Sequence, residues 1–190
     1  MSVNEQIEIG DLVYDLNEET KTALIVGCLD YVSNDPFTVS IPNTVAFDGQ
    51  NYTVTGIGYE GFYDCTYMEG ITIPDSITEI GMEAFEDCTC LKSVIIPNSV
   101  TSIGWGAFYG CSSLKSITIP DSVTSIGDHA FYDCDNLKSI TLPDGLTEFN
   151  EGLLDGCDNL TEIAIPCTDK AFPLWVHLMG SKYADLVKLV

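Results

Sequence analysis

LKSITIPDSVTSIGDHAFYDC, running from Leu114 to Cys134, restates the stretch before it, LKSVIIPNSVTSIGWGAFYGC, from Leu91 to Cys111. Cys65, Cys88, Cys111, Cys134 and Cys157 keep the same beat, each 23 residues after the last, as do Pro74, Pro97, Pro120, Pro143 and Pro166. A fixed period of this length marks a solenoid, a chain of stacked copies of one small unit, rather than a fold with a single closed core. Within the unit, Ile117-Thr118-Ile119 alternates β-branched residues with period two and reads as a short strand with both isoleucines inward. Stacked copies then form a parallel sheet. Pro120 follows at once and, lacking an N–H, ends the strand. Val123-Thr124-Ser125-Ile126 reads as a second short extended segment.

Gly127 turns the chain, as do Gly58, Gly81 and Gly104; the fifth copy has Asn150 there, an exchange that predicts a left-handed backbone position. Ala130-Phe131-Tyr132-Asp133-Cys134 predicts a tight helical turn carrying Phe131 inward, in a row with Phe62, Phe85 and Phe108. One copy alone cannot offset the entropy of ordering its backbone, so stability comes from neighbours covering each other's faces and both ends need caps. At the N-terminus, Val13–Leu16 and Thr22–Val26, joined through Asn17-Glu18-Glu19-Thr20, read as a β-hairpin. An insertion with Asp48-Gly49 between Phe47 and Tyr52 has the signature of a second hairpin. At the C-terminus, Ser181 is placed to cap a helix with Tyr183, Leu186, Val187 and Val190 on one face, after a helical turn from Pro173 to Met179. Trp175 reads as a capping hydrophobe. These features divide the chain into an N-terminal cap (1–39), repeats (40–166, hairpin insertion near 45–54) and a C-terminal cap (167–190).

The 190 residues carry 29 acidic side chains against seven lysines and no arginine, a net charge of −22. Such a surface repels phosphate backbones and anionic membranes, which argues against nucleic-acid partners. Two readings of the charge stay open, solubility of a repetitive β protein and an acidic recognition surface. No stretch approaches the ~20 apolar residues of a membrane span, so no membrane insertion is expected. The start, Met1 to Glu5, lacks the layout of a secretory signal; either the protein stays inside the cell or these residues begin one module of a longer protein. Eight cysteines suggest a disulfide framework, but five share one column and point the same way, which favours stacked buried thiols. Cys28, Cys90 and Cys167 lie off the column. Cys88-Thr89-Cys90 has no partner at zinc spacing.

The string L-x-x-I-x-I-P-x-x-V-x-x-I-G-x-x-A-F-x-x-C resembles the BspA-type leucine-rich repeats. It is nearly whole at Leu91–Cys111 and Leu114–Cys134, with substitutions at Met68–Cys88 and Leu137–Cys157. The resemblance implies an α/β-type, mostly β, right-handed leucine-rich-repeat coil with one short parallel strand per repeat, a β-hairpin cap and a helical C-terminal cap. It further implies secreted or surface-displayed proteins that attach to host or microbial proteins, with no catalytic residues to transfer.

Consistent with that, no glycine-rich phosphate loop precedes a helix, and His129 and His177 fall on a repeat turn and in the C-terminal cap. No catalytic residue, cofactor or metal ligand is expected; one carboxylate per coil at Asp75, Asp121 and Asp144 is too sparse for calcium. Two surfaces are candidates for a protein ligand. On the strand face, Lys92, Lys115 and Lys138 form the one basic stripe, between Glu69 and Thr161, beside the column Thr72, Ile95, Thr118, Thr141 and Ala164. On the turns, Tyr59, Met82 and Trp105 stand near Tyr63, Tyr109 and Tyr132. Each also admits a bland reading, a solvated sheet surface and padding of the outer edge. The expectation is a monomeric, non-catalytic protein-binding or adhesion module, extracellular or on the cell surface. Its alternatives are a cytoplasmic scaffold and a structural spacer of a longer array.

Overall fold

Ile117, Ile140 and Ile163 lie in register on adjacent strands, each buried, because a 23-residue coil returns the same side chain to the same height. The computed structural model describes residues 5–29, 35–146, 151–168 and 181–190. Its first strands, β1 (Glu5–Ile9), β2 (Leu12–Asn17) and β3 (Thr22–Cys28), form an antiparallel meander. The β2–β3 hairpin was legible; β1 was not foreseen. The insertion is a hairpin of β5 (Thr44–Phe47) and β6 (Gln50–Ile57), turning through Asp48 and Gly49, both at positive φ. Beyond it, each of the three coils from Met68 to Asn136 contributes two short parallel strands rather than one.

The strand face starts with β4 (Phe37–Ser40), β7 (Met68–Thr72) and β9 (Ser93–Val94) as one sheet. It continues with β11 (Ser116–Thr118), β13 (Ser139–Thr141), β14 (Glu162–Ile165) and β15 (Val187–Leu189) as another. The second face, β6 with β8 (Glu79–Ile80), β10 (Ser102–Ile103) and β12 (Ser125–Ile126), extends the N-terminal meander into an 8-stranded sheet. The strand-face ladder thus lapses between β9 and β11, while the other face runs through.

The core is one continuous apolar column. Phe62, Phe85, Phe108 and Phe131 are fully buried, with neighbouring rings stacked at 5.0–5.3 Å and within 12° of parallel. Beside them the column thiols do more than fill space. Cys88, Cys111, Cys134 and Cys157 each donate an S–H to the carbonyl of a phenylalanine one coil back, at 3.1–3.2 Å. Burial pushes the Cys88 and Cys111 thiols up, and none of the eight cysteines is in a disulfide.

Three expectations are corrected. Gly58, Gly81, Gly104 and Gly127 are not left-handed; an added Cβ on Gly127 would stand 2.4 Å from the Trp105 backbone nitrogen, so proximity of the preceding coil selects glycine there. Asn150 lies outside the described residues. The Phe-containing turn is not helical. Its backbone reverses hand at Glu60, Glu83, Gly106 and His129, and again at Asp64, Asp87, Gly110 and Asp133, all at φ of +53 to +68°. This alternation frees the N–H groups of Glu83, Phe85 and Asp87 to bond carbonyls of the next coil, a ladder that an α-helix would have consumed internally.

The helical C-terminal cap is also corrected. Among residues 181–190 a 3-10 turn, Ala184–Leu186, leads into β15, which pairs parallel with β14. The open edge of β14 supplies hydrogen-bond partners that outweigh the helical spacing of Tyr183, Leu186 and Val187. Ser181 does accept the Tyr183 N–H at 3.1 Å. The turn expected from Pro173 to Met179, with Trp175 and His177, lies outside the described residues. No α-helix occurs among the described residues, and no helix there is long and apolar enough to cross a membrane.

Candidate functional site

The alternating turn sets two columns of side chains on the outer edge. Glu60 donates its N–H to the Met82 carbonyl, Glu83 to that of Trp105 and Gly106 to that of Asp128, so Tyr59, Met82, Trp105 and Asp128 form one column. In the same way Asp64 donates to Glu86, Asp87 to Tyr109 and Gly110 to Tyr132, which stacks Tyr63, Glu86, Tyr109 and Tyr132. Tyr59 is 57% exposed and Met82 47%, with Tyr63, Tyr67 and Trp105 also exposed. Four of the nine large exposed apolar side chains among the described residues, Tyr59, Tyr63, Met82 and Trp105, sit in these two columns, and a concentration of this kind marks an interaction surface.

The rings are linked. Tyr109 and Tyr132 stack at 5.0 Å, and the His129 imidazole bridges Trp105 and Tyr132 at 5.7 and 5.3 Å. The structure therefore joins Trp105, Tyr109 and Tyr132 through a residue that the sequence did not single out. It also surrounds them with carboxylates. The Glu60 carboxylate accepts the Tyr59 hydroxyl and holds its proton on, with Glu83 adding to the effect. Glu86 raises the Tyr63 phenol by its charge. Glu86 itself is pushed up, first by desolvation and then by Glu83, Asp87 and Glu60. Its Oε2 is buried without a hydrogen-bond partner, as the one carboxylate in a column of tyrosines. An orphaned, partly desolvated carboxylate is costly, and an incoming cation relieves it.

The strand face differs. Lys92, Lys115 and Lys138 are exposed; Lys92 is held by Glu69 at 2.5 Å, while Lys115 and Lys138 form no ion pair among the described residues. Ile95, 83% exposed, interrupts a column otherwise made of Thr72, Thr118 and Thr141. Ala164, expected outward, is buried beneath the pairing with Lys188 on β15. Two shallow grooves of about 630 and 390 Å³ meet at Ser93 and Ile95. Asp121, instead of facing a cation, accepts the Asp144 N–H at 3.0 Å.

Comparison with known proteins follows the same lines. The family description "BspA type Leucine rich repeat region" matches residues 55–176 in six copies. Among solved structures the chain is similar to a leucine-rich repeat protein from Bacteroides ovatus at 33% identity and a TM-score of 0.65, covering 84% of this chain and 49% of that one. It is similar to a leucine rich cell surface protein from Faecalibacterium prausnitzii at 33% identity and a TM-score of 0.73, covering 87% and 45%. The T. pallidum leucine-rich repeat protein shares the fold at 24% identity and a TM-score of 0.75, covering 97% and 81%. The chain spans about half the length of the first two. No curated protein matches it.

Proposed function

The chain belongs to the BspA-type leucine-rich repeat family, whose repeats are generally protein-interaction or surface modules, and from that premise we propose a non-catalytic binding module that engages a basic protein partner along its aromatic and acidic turn edge. The observation that carries this reading is the Glu86 carboxylate. It is raised by burial and by Glu83, Asp87 and Glu60, lacks a hydrogen-bond partner at Oε2, and stands among exposed rings. A lysine or arginine side chain placed there gains an ion pair and a ring face together, which is the chemistry of a desolvated cation–π contact. Rings held by a rigid ladder lose little entropy on contact, so the edge is preorganised. The Faecalibacterium prausnitzii relative is a cell surface protein, which supports display of this module outside the cell and an adhesive role.

A fluorescent peptide rich in lysine and arginine tests the reading. Its affinity should fall with added salt and drop at least about tenfold in a Tyr59→Ala/Trp105→Ala double variant, since each cation–π contact contributes roughly 0.5–2 kcal/mol. Salt-sensitive binding that survives unchanged in the double variant would reduce the edge to diffuse charge attraction and remove this reading.

A further inference from the structure

The column Tyr63, Glu86, Tyr109, Tyr132 runs on to Asp155, because Asp133 donates its N–H to the Asp155 carbonyl at 2.9 Å. Two carboxylates therefore stand in a row of tyrosines. At Asp155 the chain supplies its own cation. Lys182 pairs with the carboxylate and lies 5.0 Å from the centroid of the Tyr183 ring, whose hydroxyl donates to Asp155 Oδ1 at 3.3 Å. The same arrangement recurs near the N-terminus. Lys21 lies 2.7 Å from Glu18 and 5.1 Å from the centroid of the Tyr52 ring, whose hydroxyl donates to Glu18. In both places the lysine holds the carboxyl below the usual carboxylate range. Glu86 has tyrosines before and after it in the column but no cation among the described residues, and burial raises its carboxyl instead.

We infer that Glu86 seats one lysine side chain of the partner, with its ammonium between Tyr63 and Tyr109, and that the site selects lysine over arginine. The inference rests on the turn edge being the binding surface and names the residue that the edge takes. Glu86 stands where the next two coils carry a ring, so positions 63 and 109 are two coil spacings apart, roughly 10 Å. An ammonium midway is roughly 5 Å from each ring, inside the ~6 Å reach of a cation–π contact. Lys21 and Lys182 keep that distance from their own rings. A guanidinium stacked flat between two rings needs them only ~7–8 Å apart, two layers of van der Waals contact. Arginine also draws its advantage from meeting both carboxylate oxygens with a planar fork. Glu86 Oε2 is buried, which leaves one oxygen to an incoming group, and an ammonium needs no more than one.

The probes are two fluorescein-labelled peptides of equal length and charge, one alternating Lys with Ser and the other Arg with Ser, titrated at the same salt and read by fluorescence anisotropy. The lysine peptide should bind at least about threefold tighter, against the usual preference of ring faces for arginine. Glu86→Gln should weaken the lysine peptide at least about fivefold and bring the two peptides within about twofold of each other. Glu86→Tyr, which restores a ring to the column, should remove the lysine preference in the same way. A melting temperature no lower than that of the parent protein separates lost binding from lost fold in both variants. An arginine peptide that binds as tightly as the lysine peptide overturns the inference, and so does a lysine preference that persists in both Glu86 variants. If both peptides bind and both weaken in Tyr59→Ala/Trp105→Ala, yet neither is preferred, the edge keeps its role and only the lysine seat falls. Absence of binding by either peptide removes the seat and the edge together.

Discussion

Gly127→Ala is expected to destabilise the fold by about 3 kcal/mol, at the upper end for forcing one methyl group into packed structure. The ideal Cβ would lie 2.4 Å from the Trp105 nitrogen, 2.6 Å from the Gly104 carbonyl carbon and 2.7 Å from the Trp105 Cα. All three are backbone atoms, so no side-chain rotation relieves the clash. The coils cannot part cheaply either, since the Gly127 N–H is bonded to the Ile103 carbonyl at 2.9 Å and the Gly104 N–H to that of Ile80 at 2.8 Å. For a chain of this size the loss lowers the melting temperature by roughly 6–12 °C. Gly145→Ala is the control: its nearest neighbour would be the Asp121 carbonyl oxygen at 3.9 Å, and the change should stay within about 0.5 kcal/mol. Equal melting temperatures for the two variants would show that proximity does not select glycine at position 127.

The second large effect concerns the ring column. Phe108 is fully buried between Phe85 at 5.0 Å and Phe131 at 5.3 Å. Phe108→Ala removes contacts to both neighbouring coils and should cost about 3–5 kcal/mol, the range for deleting a buried ring. Urea denaturation should report a lower midpoint with little change in slope if the variant still unfolds as one unit. A loss below about 1 kcal/mol would mean that the coils do not depend on one another through this column.

The repeat was legible because its period equals one coil. The same residue type recurs at the same height, so Phe62, Phe85, Phe108 and Phe131 could be placed in a row from spacing alone. The conformation of the turn was not legible. Gly127 and Asn150 suggested left-handed backbone there, whereas the reversals fall two and six residues further on; one coil has Gly106 and Gly110 at those places, but the others have Glu83, Asp87, His129 and Asp133, which mask the glycine signal. At the C-terminus, Tyr183, Leu186 and Val187 fit a helical stripe, and only the free edge of β14 decides for a strand. In β1, Ile7 and Ile9 alternate before Gly10-Asp11, a hairpin signal overlooked beside the stronger pattern of β2. The exposed rings of the edge were legible as large side chains at outward repeat positions. Glu60, Glu83 and Glu86 were not, since with 29 acidic residues no single carboxylate stands out until its desolvation is seen. His129 was noticed only as a lone turn histidine; its ring contacts follow from the stacking of adjacent coils.

Interdependence of successive coils is tested most directly by a double-mutant cycle on stability with mild truncations. Phe85→Leu and Phe108→Leu, whose rings touch, should depart from additivity by at least about 0.5 kcal/mol, whereas Phe62→Leu and Phe131→Leu, separated by two intervening rings, should add within about 0.3–0.5 kcal/mol. Additivity in the adjacent pair as complete as in the distant one would contradict a fold held together by each coil packing on the next.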